Sequence, residues 1–365
     1  MNILMISRST LFTVSGGDTI QVIQTAKYLR MLGISVDIQT SEKQIDYSNY
    51  DLIHFFNIIR PADILSHIAA SKLPFVVSTI YVDFSEFDKK MRGGLLGFTL
   101  KYLDLNTIEY LKCLARFIKN GEPIQSTTYL FKGHKNSIKY IAKKSEGLLP
   151  NSESEYRRFK TDYKLEKEYT VVPYAVDTNT FDLDATPDLN YKDHVLCVAR
   201  MEGRKNQLNL IKAIKKTDFK LSIIGNLSPN HMNYYEACKK EAEGSDNIQI
   251  LSEVKQNELA PIYKASKVHV LASWHETAGL STMEAALLGC NIVITDKGDT
   301  RDYFRDYAFY CEPDDVDSIQ HSIEEAYKTP FSPELRKFIL ENYTWELAAH
   351  KTLDAYNKAL NTKRK

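Results

Sequence analysis

The sequence predicts an α/β protein with two doubly wound parallel sheets, and three observations support this prediction. The chain has 365 residues, which suits two domains of about 150–200 residues each. Short apolar runs alternate with segments of helical periodicity, as is typical of parallel sheets covered by helices. Between residues 177 and 191, Pro, Asp, Thr and Asn accumulate and the periodicity lapses, which indicates a domain boundary.

The apolar runs give the predicted strands, and the carboxyl ends of such strands are where ligands of parallel sheets collect. The predicted strands are 2–7, 34–40, 51–56, 74–79 and 146–151, then 194–199, 221–225, 248–254, 267–271 and 291–295. Helices are predicted from about residue 18, over 62–70, 152–162, 318–327 and 333–342, and from about residue 343. Ser152 with Glu155 three residues later forms a capping-box pattern at one helix start.

Composition excludes several classes of protein. Five cysteines with no CxxC pair argue against a disulfide framework and structural zinc, and predict a reducing, cytoplasmic setting. No apolar stretch approaches the ~20 residues of a membrane span, and the chain enters a strand at once rather than a signal peptide. A formal net charge of zero does not favour nucleic acid.

One segment, 89–144, is strongly basic, with twelve Lys/Arg against three Asp/Glu and a net charge of +9. Apolar residues alternate with lysines and arginines along it. Such a segment can lie on an anionic membrane or dock a lipid-linked acceptor. It can equally be a helical excursion with its lysines in water.

The stretch 272–289, ASWHETAGLSTMEAALLG, follows a buried strand and predicts a loop and then a helix. The backbone N–H groups of a helix N-terminus near Gly279 suit an anion such as phosphate. Glu284, one turn into the helix, can accept two hydrogen bonds from a vicinal diol such as ribose. Glu276, in the loop ahead, would face hydroxyls of the group attached to the far phosphate.

Two cations follow the predicted strand 194–199. Arg200 and Lys205 can converge at the strand's carboxyl end and neutralise a departing diphosphate, which stabilises the transition state more than the ground state. Glu202 and Arg204 are predicted to be surface residues. Gly16 and Gly17, between the first strand and helix, let backbone N–H groups approach a ligand.

These motifs resemble those of retaining glycosyltransferases of family 4. Glu276 and Glu284 resemble its Glu-x7-Glu signature, Arg200 and Lys205 its Arg-x4-Lys, and PNSESE with VVPYAVDTNTF (171–181) its run into the interdomain linker. The resemblance implies the GT-B fold, with two Rossmann-like domains facing a cleft. It implies an acceptor-binding domain over 1–180, a nucleotide-sugar-binding domain over 190–343, and a C-terminal helix, 344–362, packing back on the first domain.

The resemblance also implies roles for single residues. Arg200, Lys205 and Glu276 would be the catalytic group. The residues expected to bind the donor are Gly16, Gly17, Gly225, Val254, Ala278, Gly279, Leu280 and Glu284. His54, at a strand end, Tyr81 and Asp83 are expected on the acceptor side. Tyr81 stands where the family often has histidine, so acceptor-side chemistry stays unassigned.

The implied activity is that of a hexosyltransferase-type enzyme (EC 2.4). It would move a sugar, with retention, from a UDP- or GDP-type donor to a hydroxyl of a glycan or lipid-linked acceptor. No Asp-x-Asp pair lies near the expected phosphate site, so neither metal nor cofactor is expected. The resemblance suggests bacterial surface polysaccharide or glycolipid synthesis, in the cytoplasm or peripherally at the inner face of the membrane.

Other functions stay open. A GT-B nucleotide-sugar 2-epimerase or hydrolase could share the fold, and so could a non-catalytic nucleotide-sugar-binding protein. An NAD-dependent dehydrogenase would need a dinucleotide fingerprint that Gly16 and Gly17 do not supply.

Overall fold

The computed structural model describes residues 1–14, 16–82, 105–120, 126–228, 230–252 and 254–362. These residues form two compact units. Unit 1 comprises Met1–Tyr174 together with Trp345–Lys365, and unit 2 comprises Ala175–Thr344.

Unit 1 is built on a five-stranded parallel sheet with the strand order β2-β1-β3-β4-β5. The strands are β1 (Asn2–Ser7), β2 (Ser35–Thr40), β3 (Leu52–Phe56), β4 (Phe75–Ser78) and β5 (Gly147–Leu149). The helices between them are α1 (Gly17–Met31), α2 (Pro61–Ala70), α3 (Leu105–Asn120), α4 (Thr127–Lys144) and, after β5, α5 (Glu153–Tyr163). The central strands are continuous buried runs, because helices cover both faces of such a sheet.

Unit 2 is built on a six-stranded parallel sheet with the order β11-β10-β9-β6-β7-β8. The strands are β6 (Val195–Val198), β7 (Leu221–Ile224), β8 (Ile248–Leu251), β9 (Val268–Leu271), β10 (Asn291–Thr295) and β11 (Phe309–Cys311). The helices are α6 (Gln207–Ile214), α7 (Met232–Ala242), α8 (Leu259–Ala265), α9 (Leu280–Leu288), α10 (Thr300–Phe304), α11 (Val316–Lys328) and α12 (Pro333–Asn342).

The last helix, α13 (Trp345–Thr362), belongs to unit 1, where it packs against α1. Its buried Trp345 and Tyr356 belong to the largest fully buried side chains of the described chain.

The two sheets confirm the predicted fold class, and the ten predicted strands are all present within three residues at each end. β11 was not predicted. It has only three residues, two of them half-buried, at the edge of its sheet, so it leaves little apolar pattern in the sequence. Among the helices described by the structure, none is both long and apolar enough to span a bilayer.

Candidate functional site

The loop after β6 is held by a buried carboxylate. Glu202 is 3% exposed, and its side chain lies 3.5 Å from the Arg200 guanidinium and 3.1 Å from that of Arg204. Burial raises the pKa of Glu202, but the charges of Arg204, Arg200 and Lys205 outweigh burial and leave that pKa below its ordinary value. Glu202 therefore corrects the prediction of a surface residue: it is ionised and orients the two arginines.

The same loop is tied to the chain after β9 and to the chain after β11. Asn206, at φ 59°, donates from its amide to the carbonyl oxygens of Ala272 at 2.9 Å and Pro313 at 2.6 Å. Trp274 N donates to the Arg204 carbonyl at 2.9 Å. The sequence analysis did not single out Asn206, although asparagine is one of the residues that tolerate this left-handed conformation. These bonds bring the Arg-x4-Lys loop beside the Glu-x7-Glu stretch.

The two motifs meet in an ion pair. Lys205 Nζ lies 2.6 Å from Glu276 Oε2, and the two side chains are 23% and 9% exposed. The backbone of Glu276 is fixed as well, because its N–H donates to the Lys297 carbonyl at 3.1 Å and its carbonyl accepts from Asp299 N at 3.0 Å. These two backbone hydrogen bonds require glycine at position 298, since a Cβ there would lie 2.0 Å from the Glu276 carbonyl oxygen.

Helix α9 begins immediately after this loop. Gly279 precedes it at φ 60°, and a Cβ there would crowd Thr282 Oγ1 at 3.1 Å and an Ile294 methyl at 3.2 Å. Both the conformation and the packing therefore favour glycine. Ala278 is buried and Leu280 is half-buried, so this turn offers mainly backbone to a ligand.

Glu284 lies in the middle of α9 and is 8% exposed. Burial raises its pKa to about 7, although hydrogen bonds from Tyr263 and Gln256 act to lower it. The Tyr263 hydroxyl donates at 3.1 Å, and burial followed by the Glu284 charge raises the pKa of Tyr263 well above its ordinary value. Tyr263 was not predicted, since it lies on α8, 21 residues before its partner.

The strands β6 and β7 end against each other. A Cβ on Gly225, directly after β7, would lie 1.9 Å from the Ala199 carbonyl oxygen and 3.3 Å from Arg200 N. Only glycine fits this approach, so Gly225 fixes the backbone just before Arg200. Val254, three residues after β8, is half-buried.

In unit 1, the loop after β1 is organised by Arg8. Its guanidinium donates to Asp18 Oδ2 at 2.6 Å, to the Thr10 carbonyl at 2.8 Å and to the Val14 carbonyl at 2.7 Å. Gly16 and Gly17 close this loop and open α1. Sequence reasoning did not single out Arg8.

The two glycines differ in what their surroundings require. A Cβ on Gly16 would lie 3.0 Å from Asp18 Oδ1, whereas one on the exposed Gly17 would meet nothing nearer than the Tyr174 hydroxyl at 3.8 Å. Packing therefore does not demand glycine at position 17.

The capping box at α5 is confirmed in its main bond, because Glu155 N donates to Ser152 Oγ at 2.9 Å. The fully buried Glu155 carboxylate binds three further groups. It accepts from the Thr79 hydroxyl, from Tyr81 N at 2.8 Å and from Asn151 N at 2.9 Å. It thus ties together the chain after β4 and after β5.

Two residues expected on the acceptor side lie in the core of unit 1. His54 is the third of the five residues of β3, which corrects its expected place at a strand end, and it is 1% exposed. Its ring nitrogens contact the Tyr356 hydroxyl at 2.7 Å and Ser78 Oγ at 2.8 Å. Burial lowers its pKa to about 3, so it is neutral at physiological pH.

Tyr81 is 2% exposed and donates from its hydroxyl to Asp162 at 2.7 Å. Its ring packs edge-on against Phe159. The geometry gives Tyr81, like His54, a packing role. Asp83 lies outside the described residues.

Residues 185–345 match the family model for glycosyl transferases group 1, which covers nearly all of unit 2. A sucrose-phosphate synthase structure from Thermosynechococcus elongatus superposes with a TM-score of 0.75 and 14% identity, over 99% of this chain and 100% of that one. The structure of Anabaena HepE in complex with UDP superposes with a TM-score of 0.67 and 14% identity, over 98% of this chain and 100% of that one. The chain has the GT-B glycosyltransferase fold.

Curated relatives match more locally than the GT-B structures do. A probable sucrose-phosphate synthase of Thermosipho melanesiensis is 25% identical over 211 residues, which is 52% of this chain and 47% of that protein. The chain spans about half the length of the curated relatives it matches.

In this GT-B chain, unit 2 brings Arg200, Lys205, Glu276, Gly225 and the start of α9 to the carboxyl ends of β6, β7 and β9. Glu284 lies one turn further into α9, where it accepts the hydrogen bond from Tyr263. No group of three or more His, Cys, Asp or Glu side chains in the described part of the chain could hold a metal ion. The fixed positive charges of this edge come from arginine and lysine.

Proposed function

We propose that the chain is a retaining, hexosyltransferase-type glycosyltransferase of family 4 that uses a nucleotide sugar. The observation that supports this most strongly is the Lys205–Glu276 ion pair, because it joins the two motifs at one edge of the unit 2 sheet. The group 1 domain and the glycosyltransferase names of several relatives also support a transferase.

In the proposed complex, Arg200 and Lys205 bind the diphosphate and Glu284 accepts hydrogen bonds from the ribose diol. Glu276 and the backbone at Ala278, Gly279 and Leu280 hold the sugar. In the structure, Lys205 and Glu276 are paired with each other. Lys205 must turn from Glu276 towards the diphosphate, and Glu276 is then available for sugar hydroxyls.

The proposed reaction breaks the bond between the anomeric carbon and the diphosphate oxygen and forms a bond to the acceptor oxygen on the same face. The acceptor proton passes to an oxygen of the leaving phosphate. Arg200 and Lys205 stabilise the charge that develops on this group without a metal ion. Glu276 is committed to hydroxyl binding on this account, so no enzyme carboxylate is assigned as a nucleophile.

We further propose that Gly16 and Gly17 lie beside the donor diphosphate and the acceptor, and that the acceptor is a glycan or lipid-linked hydroxyl in bacterial surface polysaccharide or glycolipid synthesis. Anabaena HepE was solved with UDP, which favours a UDP-type donor here. The open space around Gly17 supports a ligand-binding role, since packing does not explain the residue.

The proposal is tested by supplying UDP- and GDP-sugars with a panel of glycan and lipid-linked acceptors and following nucleotide release. We expect release that depends on the acceptor, and a product whose anomeric configuration matches the donor by NMR. Donor consumption that is equally fast without acceptor would instead indicate a hydrolase or 2-epimerase. A glycosyl-enzyme adduct in mass spectrometry would contradict the same-face mechanism.

A further inference from the structure

Helices α3 and α4 expose large apolar side chains to solvent. Phe131 is 92% exposed and Ile118 is 81% exposed, and Phe117, Leu111 and Leu130 are between 41% and 49% exposed. We call these five residues the α3–α4 face. Scattered exposed apolar residues are normal, but a concentration of this kind on two neighbouring helices marks an interaction surface.

The exposure of Phe131 follows from how its neighbours are anchored. Tyr129, two residues earlier, is 1% exposed and its hydroxyl contacts His134 Nδ1 at 3.0 Å. The Tyr110 hydroxyl on α3 donates to the Leu130 carbonyl at 3.3 Å. Gly133, at φ 70° and ψ 175°, interrupts α4 directly after this turn. The turn is therefore fixed in place, with Leu130 and Phe131 on its outer side.

The hydrogen bond from the Tyr110 hydroxyl to the Leu130 carbonyl joins α3 to α4 at this face. Tyr110 is next to Leu111 in the sequence. Ile118 lies eight residues after Tyr110 on α3, which is about 12 Å along a helix. The five apolar side chains thus lie on two short helices that contact each other.

The charge of these helices is strongly positive. Their sequences contain eight Lys/Arg and a single acidic residue, Glu109, for a net charge of +7. Lys132, Lys135, Lys143 and Lys144 are exposed. A face that served only solubility would not expose phenylalanine, and a site for a soluble polyanion would not need it. Apolar side chains combined with lysines match the interface of an anionic bilayer.

We propose that the α3–α4 face docks the protein on the surface of a bilayer rich in anionic lipid. The apolar side chains enter the headgroup region and the lysines contact lipid phosphates. This inference does not depend on the proposed glycosyl transfer, because neither helix supplies a residue assigned to the donor.

The test is co-sedimentation of the full chain with vesicles of phosphatidylcholine alone and of phosphatidylcholine mixed with phosphatidylglycerol, without nucleotide. We expect binding to the anionic vesicles only, weakened by added salt. The double variant Phe131→Ser/Ile118→Ser should bind at least tenfold more weakly. Leu189→Ser is the matched control, since Leu189 is 74% exposed on unit 2, and it should bind like the wild type.

A second pair of variants tests the charge. Lys132→Glu/Lys135→Glu should also weaken binding, whereas Lys239→Glu, at a half-exposed lysine of unit 2, should not. Wild-type protein that does not bind anionic vesicles would overturn the proposal, and so would a double serine variant that binds as well as the Leu189→Ser control. Sedimentation velocity gives a further contradicting outcome: a wild-type dimer that the serine variants convert to monomer would mean that a second copy covers the face.

Discussion

At the scale of single residues, the pairing of Lys205 with Glu276 governs how the site can respond to a donor. The two residues are 71 positions apart, and each carries a charge that the other partly neutralises. A diphosphate adds negative charge beside this pair. The carboxylate therefore opposes binding of the nucleotide alone, whereas the ammonium favours it.

This opposition predicts different outcomes for substitutions of the two partners. Glu276→Gln should tighten binding of a free nucleoside diphosphate by roughly 1 kcal/mol, because a nearby like charge is removed. It should also lower turnover of the nucleotide sugar, because hydroxyl binding is weakened. Lys205→Met should weaken both. Calorimetric titration and donor turnover measure the two effects.

The control for this prediction is Lys215→Met. Lys215 is also partly exposed and ion-paired in unit 2, with Glu241 at 3.4 Å, and its replacement should change neither measurement. Equal losses of nucleotide affinity in Glu276→Gln and Lys205→Met would contradict the charge opposition.

The raised pKa of Glu284 predicts how stability depends on pH. Because the folded-state pKa is about 7 and the ordinary value is 4.5, protonated Glu284 contributes stability that is fully present below pH 4.5 and is lost as pH rises through 7. The loss is about 3 kcal/mol, at 1.36 kcal/mol per pH unit. Glu284→Gln should lack this loss, so its stability relative to wild type should rise between pH 5 and pH 8.

Chemical denaturation of both proteins at the two pH values measures this difference. Glu236→Gln, at a half-exposed residue of α7, is the control and should follow the wild type. A Glu284→Gln variant whose stability relative to wild type is the same at both pH values would show that the carboxyl titrates normally.

The sequence nominates the charged residues of this candidate site but not all of their surroundings. Motif spacing nominates Arg200, Lys205, Glu276 and Glu284, and their roles stay predictions. Glu202 was placed on the surface, because a carboxylate between two basic residues has the same local sequence whether it is exposed or buried. Tyr263 was missed because its contact with Glu284 depends on how α8 packs against α9, which no local pattern encodes.

At the scale of elements, Gly225 and Gly17 differ in the space available for a Cβ, so their alanine substitutions form a matched pair of variants. Gly225→Ala would place a Cβ 1.9 Å from the Ala199 carbonyl oxygen and force the ends of β6 and β7 apart. We expect a loss of stability of several kcal/mol, as for other changes that break a tight backbone approach. Gly17→Ala has room for its Cβ at the start of α1 and should leave stability unchanged or slightly raised.

Thermal unfolding and donor turnover separate these two cases. If Gly17 lies against the ligands as proposed, Gly17→Ala should keep its melting temperature and lose turnover. Full turnover in this variant would leave Gly17 with neither a packing role nor a binding role.

The elements themselves were largely predictable, because their signals are local. Apolar runs located ten strands, and the Ser152–Glu155 spacing located the start of α5. The predicted place of His54 at the end of its strand was wrong. Its strand begins and ends within a residue of the prediction, yet His54 lies mid-strand with both ring nitrogens engaged, one of them by Tyr356 of the distant helix α13.

At the scale of the whole molecule, two parallel sheets supply the framework. Fold class followed from the alternation of strands and helices, which depends only on local periodicity. The site in unit 2 depends on loops that follow three different strands, so its residues could be nominated from the sequence. Their distances and ionisation could not, since these are set by long-range packing and burial.

Glu284 is the residue proposed to bind the ribose, and the most direct test of this role is calorimetric titration of UDP, GDP and ADP into wild-type protein and Glu284→Ala. We predict that one nucleotide binds the wild type, and that the variant loses about 1.5 kcal/mol or more of binding free energy. Glu236→Ala, which removes a half-exposed carboxylate, should bind that nucleotide like the wild type. No binding of any nucleotide, or equal affinity in Glu284→Ala and wild type, would contradict ribose binding by Glu284.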